Sequence, residues 1–322
     1  MRARGGRAAA QAATRKVVYA GIAGNVLVTI SKFVAAAITQ SAAMLSEAIH
    51  SLVDTANDSL MAYGLHRSER PPTRRHPLGH GREVYFWAFV VSLLIFVLGA
   101  GVSIYEGIRH VIDPPDLEHP FVSFGVLALA ALFEGGSWWV AVREFRRRKG
   151  DKGYLEAARE TKDASTLLQV LEDSAALVGI AIAFVGIGLA HALGEPRLDG
   201  VASILIGIVL AITALFLARE SKQLLIGEPA HDALVRSVRE IADSHAGIAK
   251  CNGLLTFQVG PQEVTVALSA TFEKELRAHE IERVVEKLED EIRGKHGEVV
   301  LLLVKPQSAA AWSAARKRLG LR

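Results

Sequence analysis

Glu47, His50, Asp54 and Asp58 stand within one apolar stretch, interleaved with Ser46, Ser51 and Asn57. Imidazole and carboxylate are metal ligands, and ionisable groups inside a membrane-spanning segment are costly enough to mark functional sites. On an α-helix, steps of four residues link His50 to Asp54 and Asp54 to Asp58, and Glu47 lies three before His50, so all four project from roughly one face. That face has the chemistry to hold a cation. Glu134 and the pair Glu172-Asp173 lie in two further apolar stretches, and Asn25 and Lys32 interrupt another. The simplest role for Asn25 is a helix–helix hydrogen bond, and for Lys32 snorkelling or an internal ion pair. Glu134 reads equally as a helix–helix hydrogen-bonding residue or as a proton relay.

The elements that must position these groups follow from the hydropathy. Half of the 322 residues are hydrophobic and the charge is gathered in blocks, as in a polytopic membrane protein. Apolar segments at about 17–38, 42–65, 85–105, 121–142, 165–189 and 201–217 are each long enough to cross a bilayer. Lys and Arg crowd the N-terminus and the loops at 67–83 and 143–162, whereas the three alternate loops hold only Arg109 and Arg197. The positive-inside rule then places both termini and the two basic loops in the cytoplasm. The basic N-terminal run, Arg2 to Lys16, leads straight into an apolar segment, so it reads as a cytosolic flank and not a transit peptide, and a bacterial plasma membrane is expected over an organelle.

After residue 227 the pattern becomes that of a soluble domain. Leu234, Val238 and Ile241 recur at helical spacing, Val264, Val266, Leu268 and Ala270 alternate as in a strand, and Ile281, Val284, Val285, Leu288 and Ile292 again fit a helix. With strands expected near 254–259 and 299–304, the order is αββαβ, a small sheet with helices on one face. The fold class is therefore an all-α bundle of six transmembrane helices followed by a small α+β, ferredoxin-like domain. Its expected parts are a basic N-terminus (1–16), a membrane domain (17–227), a cytosolic domain (228–306) and a basic tail (307–322), with disorder expected in the tail over a short interfacial helix.

Several classes are excluded. The single cysteine, Cys251, rules out an internal disulfide framework and a Cys-rich zinc module. A pI near 9.0 reflects the positive-inside bias, since no basic patch is interleaved with aromatics as nucleic-acid binding would require. There is no P-loop and no G-x-G-x-x-G after a strand, so neither enzyme chemistry on nucleotides nor a tightly bound cofactor is expected.

The run Ala42-Ala43-Met44-Leu45-Ser46-Glu47-Ala48-Ile49-His50-Ser51-Leu52-Val53-Asp54, the loop Gly79-His80-Gly81-Arg82, the acidic motif of the fifth span and the αββαβ tail resemble the cation diffusion facilitators, the zinc transporter family, from about residue 17 to 306. Gly99-Ala100-Gly101, Tyr105-x-Gly107 and Leu171-Glu172-Asp173 are most similar to its zinc transporter nine branch. The resemblance implies a transport site built from His50 and Asp54 on the second span and Asp173 on the fifth, with Gln169 where the family carries a histidine. Glu172 adds a carboxylate one residue away, and whether Gln169 or Glu172 completes the site stays open. Glu47, Asp58 and Glu134 take supporting or pathway roles, with ligation by Asp58 the lesser alternative. His76 and His80 are four apart, as in a second loop site of some relatives, but no aspartate stands near and Arg74 and Arg75 repel cations. In the tail domain only His279 matches the regulatory ligands, while Leu303 and Lys305 replace a His and an Asp, which points to homodimerisation over metal sensing.

The expected activity is export of a divalent cation from the cytoplasm by proton antiport. Ligands must be deprotonated to bind metal, so protons from the far side compete with the ion, and His50 suits the exchange because an imidazole titrates in the physiological range. Zinc comes first on the resemblance, although an oxygen-rich site with glutamine for histidine also suits Mn²⁺, Fe²⁺ or Co²⁺. The expected partners are the metal ion, protons, the lipid bilayer and a second copy of the chain, with no nucleic acid. The alternative of a different class is a non-transporting membrane scaffold or heteromer subunit.

Overall fold

The computed structural model describes residues 25–115, 119–149, 153, 164–318 and 320. The chain divides into two compact units: Met1–Gly64, Trp87–Arg159 and Asp163–Ser221 form the first, and Leu65–Phe86, Glu160–Lys162 and Lys222–Arg322 the second. The basic N-terminal run and most of the 143–162 connection fall outside the described residues.

The first unit is helical. It contains α1 (Asn25–Thr39), most of α2 (Ala42–Ser68), most of α3 (Glu83–Ile112), α4 (Pro120–Lys149), α5 (Ala164–Leu193) and most of α6 (Arg197–Ile226). Among the described residues, four helices are both long and apolar enough to cross a membrane, namely α3, α4, α5 and α6. α1 is apolar but short over its described part. α2 has the length, 27 residues, yet its interior carries the four titratable groups of the candidate site. The helices of the last four spans run further than the apolar segments that announced them, because hydropathy marks the part inside lipid and not the helical turns beyond it. Large apolar side chains point outward, including Phe121, Leu132, Trp139 and Val140 on α4, as suits a surface solvated by lipid tails.

Two local features fix the bundle. α3 contains a π-helical segment at Ile95–Gly101, an irregularity often retained at functional sites. Beyond it α3 packs closely on α6: a Cβ at Gly107 would stand 2.7 Å from the Gly200 carbonyl oxygen, and one at Gly207 2.6 Å from the Ile104 side chain. Small residues let membrane helices approach to this distance, where dispersion and not the hydrophobic effect drives association.

The second unit holds α7 (Asp232–Ser244), β1 (Ile248–Gly260), β2 (Glu263–Phe272), α8 (Ala278–Lys295), β3 (Val299–Pro306) and α9 (Ala309–Arg318). The αββαβ order is the one the periodicities predict. The sheet is β1-β2-β3, with β1 antiparallel to β2 and β3 parallel to it. Its core gathers Leu234, Val238 and Ile241 of α7, Val266, Leu268 and Ala270 of β2, and Leu288 and Ile292 of α8. The tail departs from expectation: residues 309–318 are helical, and not disordered. The link into α9 is tied down where Gln307 donates its N–H to the Ala270 carbonyl at 3.0 Å, and the Trp312 indole lies against Gly253, where any Cβ would clash at 2.6 Å.

Candidate cation site

α2 is anchored at its start. Ser41 Oγ accepts the Met44 N–H at 3.0 Å, an N-cap bond. Buried Asp199 of α6 accepts from Ser41 Oγ at 2.5 Å and from the Ala42 N–H at 2.5 Å. Its carboxylate thereby meets orphan donors and complements the helix dipole. Ser46 and Ser203 pair at 2.7 Å one turn further on. α2 therefore presents its polar face from a fixed start.

On that face the imidazole of His50 is buried, 1% exposed, and its Nδ1 stands 3.5 Å from Asp54 Oδ1. Among the described residues, neither ring nitrogen of His50, nor Asp54 Oδ1, has a hydrogen-bond partner. Each unsatisfied buried polar group costs about 1–3 kcal/mol, so these atoms stand ready for a proton or a cation. Asp54 lies on the wall of a cavity of about 50 Å³, room for several waters. The same wall takes Asn25 from α1, Asp58 from α2, Glu134 and Ser137 from α4, and Gln169, Glu172 and Asp173 from α5. His50 is not among its lining residues and meets it through Asp54.

The α5 carboxylates are already engaged. Asp173 accepts from Ser137 Oγ at 2.9 Å and from Gln169 Nε2 at 3.0 Å. Glu172 accepts from Asn57 Nδ2 at 2.7 Å. With its amide donating to Asp173, Gln169 keeps its carbonyl oxygen as the atom able to meet a cation. Among the described residues no three His, Cys, Asp or Glu side chains are drawn together closely enough to hold one metal ion. The resemblance's residues are thus divided between two walls: His50 and Asp54 close on α2, Asp173, Gln169 and Glu172 close on α5.

Glu47 lies elsewhere. It is fully buried and its Oε2 is 3.2 Å from Lys32 Nζ, which also donates to Ser51 Oγ at 2.7 Å and stands 3.8 Å from Glu134 Oε1. The internal ion pair expected for Lys32 is present, and Glu134 belongs to it as well as to the cavity. Asn57, Ser51 and Ser137 had no sequence signal beyond being polar in apolar stretches, and that signal does not name their partners. His76 and His80 fall in the second unit with ring centroids 4.5 Å apart. His80 Nδ1 lies 3.9 Å from Glu83 Oε1, an oxygen to which Arg67 donates at 2.8 Å. A guanidinium on the same carboxylate disfavours a cation there.

Apolar helices around a carboxylate-walled polar cavity, joined in one chain to a small three-stranded domain, define a polytopic membrane protein. The cation efflux transmembrane domain matches residues 18–226, and the chain belongs to the cation efflux family. It is 32% identical over 260 residues to the "proton-coupled zinc antiporter SLC30A9, mitochondrial" of Mus musculus, covering 80% of this chain and 46% of that protein. It is 30% identical over 224 residues to "metal tolerance protein C4" of Arabidopsis thaliana, covering 68% and 48%. To the "cation-efflux pump FieF" of Yersinia pestis (strain Pestoides F) it is 26% identical over 223 residues, covering 69% of each chain. The chain spans about half the length of the first two of these relatives.

Proposed function

We propose that this protein is a secondary transporter that exports a divalent cation by exchange for protons, with Zn²⁺ the first substrate and Mn²⁺, Fe²⁺ or Co²⁺ the alternatives. The observation that carries the reading is the α2 pair of buried His50 and cavity-lining Asp54, whose two imidazole nitrogens and Oδ1 have no hydrogen-bond partner among the described residues, beside a cavity also lined by Gln169, Glu172 and Asp173. A cation entering between α2 and α5 supplies the missing partner for His50 and Asp54. Closing the shell from α5 means exchanging the bonds of Asp173 to Ser137 and Gln169 for bonds to the ion. Such an exchange makes binding reversible and couples it to small movements of one helix against another, the geometry that alternating access uses. Protons reaching His50 and the carboxylates displace the ion, since each ligand binds metal only when deprotonated.

This reading takes α1 and α2 as spans alongside the four apolar helices, giving six, and takes the αββαβ unit as a ferredoxin-like domain that pairs two copies of the chain. It is a transporter and not an enzyme, and it holds no resident cofactor. Both termini face the cytoplasm by the distribution of Lys and Arg, and the membrane is a bacterial plasma membrane; the Mus musculus relative is mitochondrial by name and the FieF relative belongs to a bacterium. The test is metal uptake into proteoliposomes by the natural protein and by Asp54→Ala and Asp173→Ala, offered Zn²⁺, Mn²⁺, Fe²⁺ and Co²⁺ in turn. Uptake lost in both variants is expected. Folded natural protein that moves none of these ions contradicts the reading and favours a scaffold or heteromer subunit.

A further inference from the structure

Lys32 is the largest polar side chain sealed inside the first unit, with no exposed surface. Its ammonium has three donors. One meets Ser51 Oγ at 2.7 Å, one meets Glu47 Oε2 at 3.2 Å, and Glu134 Oε1 stands 3.8 Å away. Glu47 is sealed as Lys32 is, whereas the Glu134 side chain keeps 20% of its surface and lines the cavity shared by Asp54, Gln169, Glu172 and Asp173. Glu134 is thus a carboxylate that an ion in the cavity would attract, held back by a buried charge on the opposite side. A partly buried charge pair is screened far less than an exposed one, so the hold is effective.

We propose that Lys32 determines cation specificity by retaining Glu134 on the cavity wall as its counter-ion, which keeps Glu134 out of the ion's ligand shell. This rests on the transport reading above. With Lys32 charged, the ligand set is confined to α2 and α5 and contains the His50 nitrogen, which suits Zn²⁺. With that charge removed, Glu134 turns to the ion and adds one or two hard oxygens, which suit Mn²⁺ more than Zn²⁺ because zinc is satisfied by four ligands. Lys32 is a positioning residue, acting through Glu134.

The test measures Zn²⁺ and Mn²⁺ dissociation constants by calorimetry on the purified full chain in lipid nanodiscs. The proteins are the natural one, Lys32→Gln, Lys32→Met, Lys32→Arg, and each neutral variant combined with Glu134→Gln. Lys32→Gln and Lys32→Met both remove the charge with similar side-chain length, so either one that folds suffices. We expect Mn²⁺ affinity to rise about tenfold with a smaller change for Zn²⁺, the gain to vanish when Glu134→Gln is added, and Lys32→Arg to keep the natural Mn²⁺/Zn²⁺ ratio. A folded neutral variant with an unchanged ratio, or a gain that survives Glu134→Gln, overturns the proposal while leaving the transport reading intact. No binding of either ion by the natural protein overturns both.

Discussion

At the scale of single residues, the site is a division of labour between free and engaged donors. Among the described residues the His50 ring nitrogens and Asp54 Oδ1 lack a hydrogen-bond partner, whereas Asp173 and Glu172 are each held by a neutral side chain from another helix. The neutral partners orient their carboxylates as outer-shell groups orient metal ligands elsewhere, where their loss weakens affinity or activity by about 10–100-fold. Asn57→Ala is therefore expected to lower metal-stimulated transport by roughly that factor while leaving expression and size-exclusion behaviour unchanged. Transport at the natural level would show that the Asn57–Glu172 bond is irrelevant to the site. The candidate face of α2 was legible from the four-residue spacing of His50, Asp54 and Asp58 in an apolar run, whereas Asp173, Gln169 and Glu172 became candidates through the family resemblance. Asn57, Ser51 and Ser137 were not legible, because a hydrogen bond between helices depends on which faces meet, and that is a property of packing and not of either segment.

At the scale of elements, the sequence showed where helices and strands lie but not how they begin or touch. Ser41, Asp199 and Gly200 lie between the apolar segments, yet Asp199 secures the first turn of α2 from a different helix, and Gly200 admits α3 to close contact. The tail also differs from the disorder expected of it. The expectation of disorder follows from the position at the chain end, but residues 309–318 include five alanines, which favour a helix, and Trp312 packs against Gly253. Asp199→Ala leaves the Ser41 hydroxyl and the Ala42 N–H without an acceptor inside the bundle, and such loss costs about 1–3 kcal/mol. A lower unfolding temperature in detergent is expected, with Asp199→Asn losing less because it keeps an acceptor oxygen. Equal unfolding temperatures for Asp199→Ala and the natural protein would show that α2 is anchored by packing alone.

At the scale of the whole molecule, each unit has its own physics. The first turns apolar side chains outward and hides Lys32, Glu47, His50 and Asp199, the inverse of a soluble protein; the second has an ordinary core between helices and sheet. This inversion was legible in composition, because lipid allows few charges except where they face one another or water. Family membership rests on the membrane segment, residues 18–226, which also carries every residue assigned here to the ion's path. Coupling to protons is the central claim, and one measurement addresses it most directly. Proteoliposomes containing the natural protein are given external Zn²⁺ and an internal pH lower than the external one, and Zn²⁺ entry and internal pH are followed together with separate dyes. Zn²⁺ entry accompanied by proton exit, and slowed strongly when a protonophore and a permeant counter-ion collapse the gradient, is the predicted result. Zn²⁺ entry at an unchanged rate without the gradient, and with no proton movement, would contradict it.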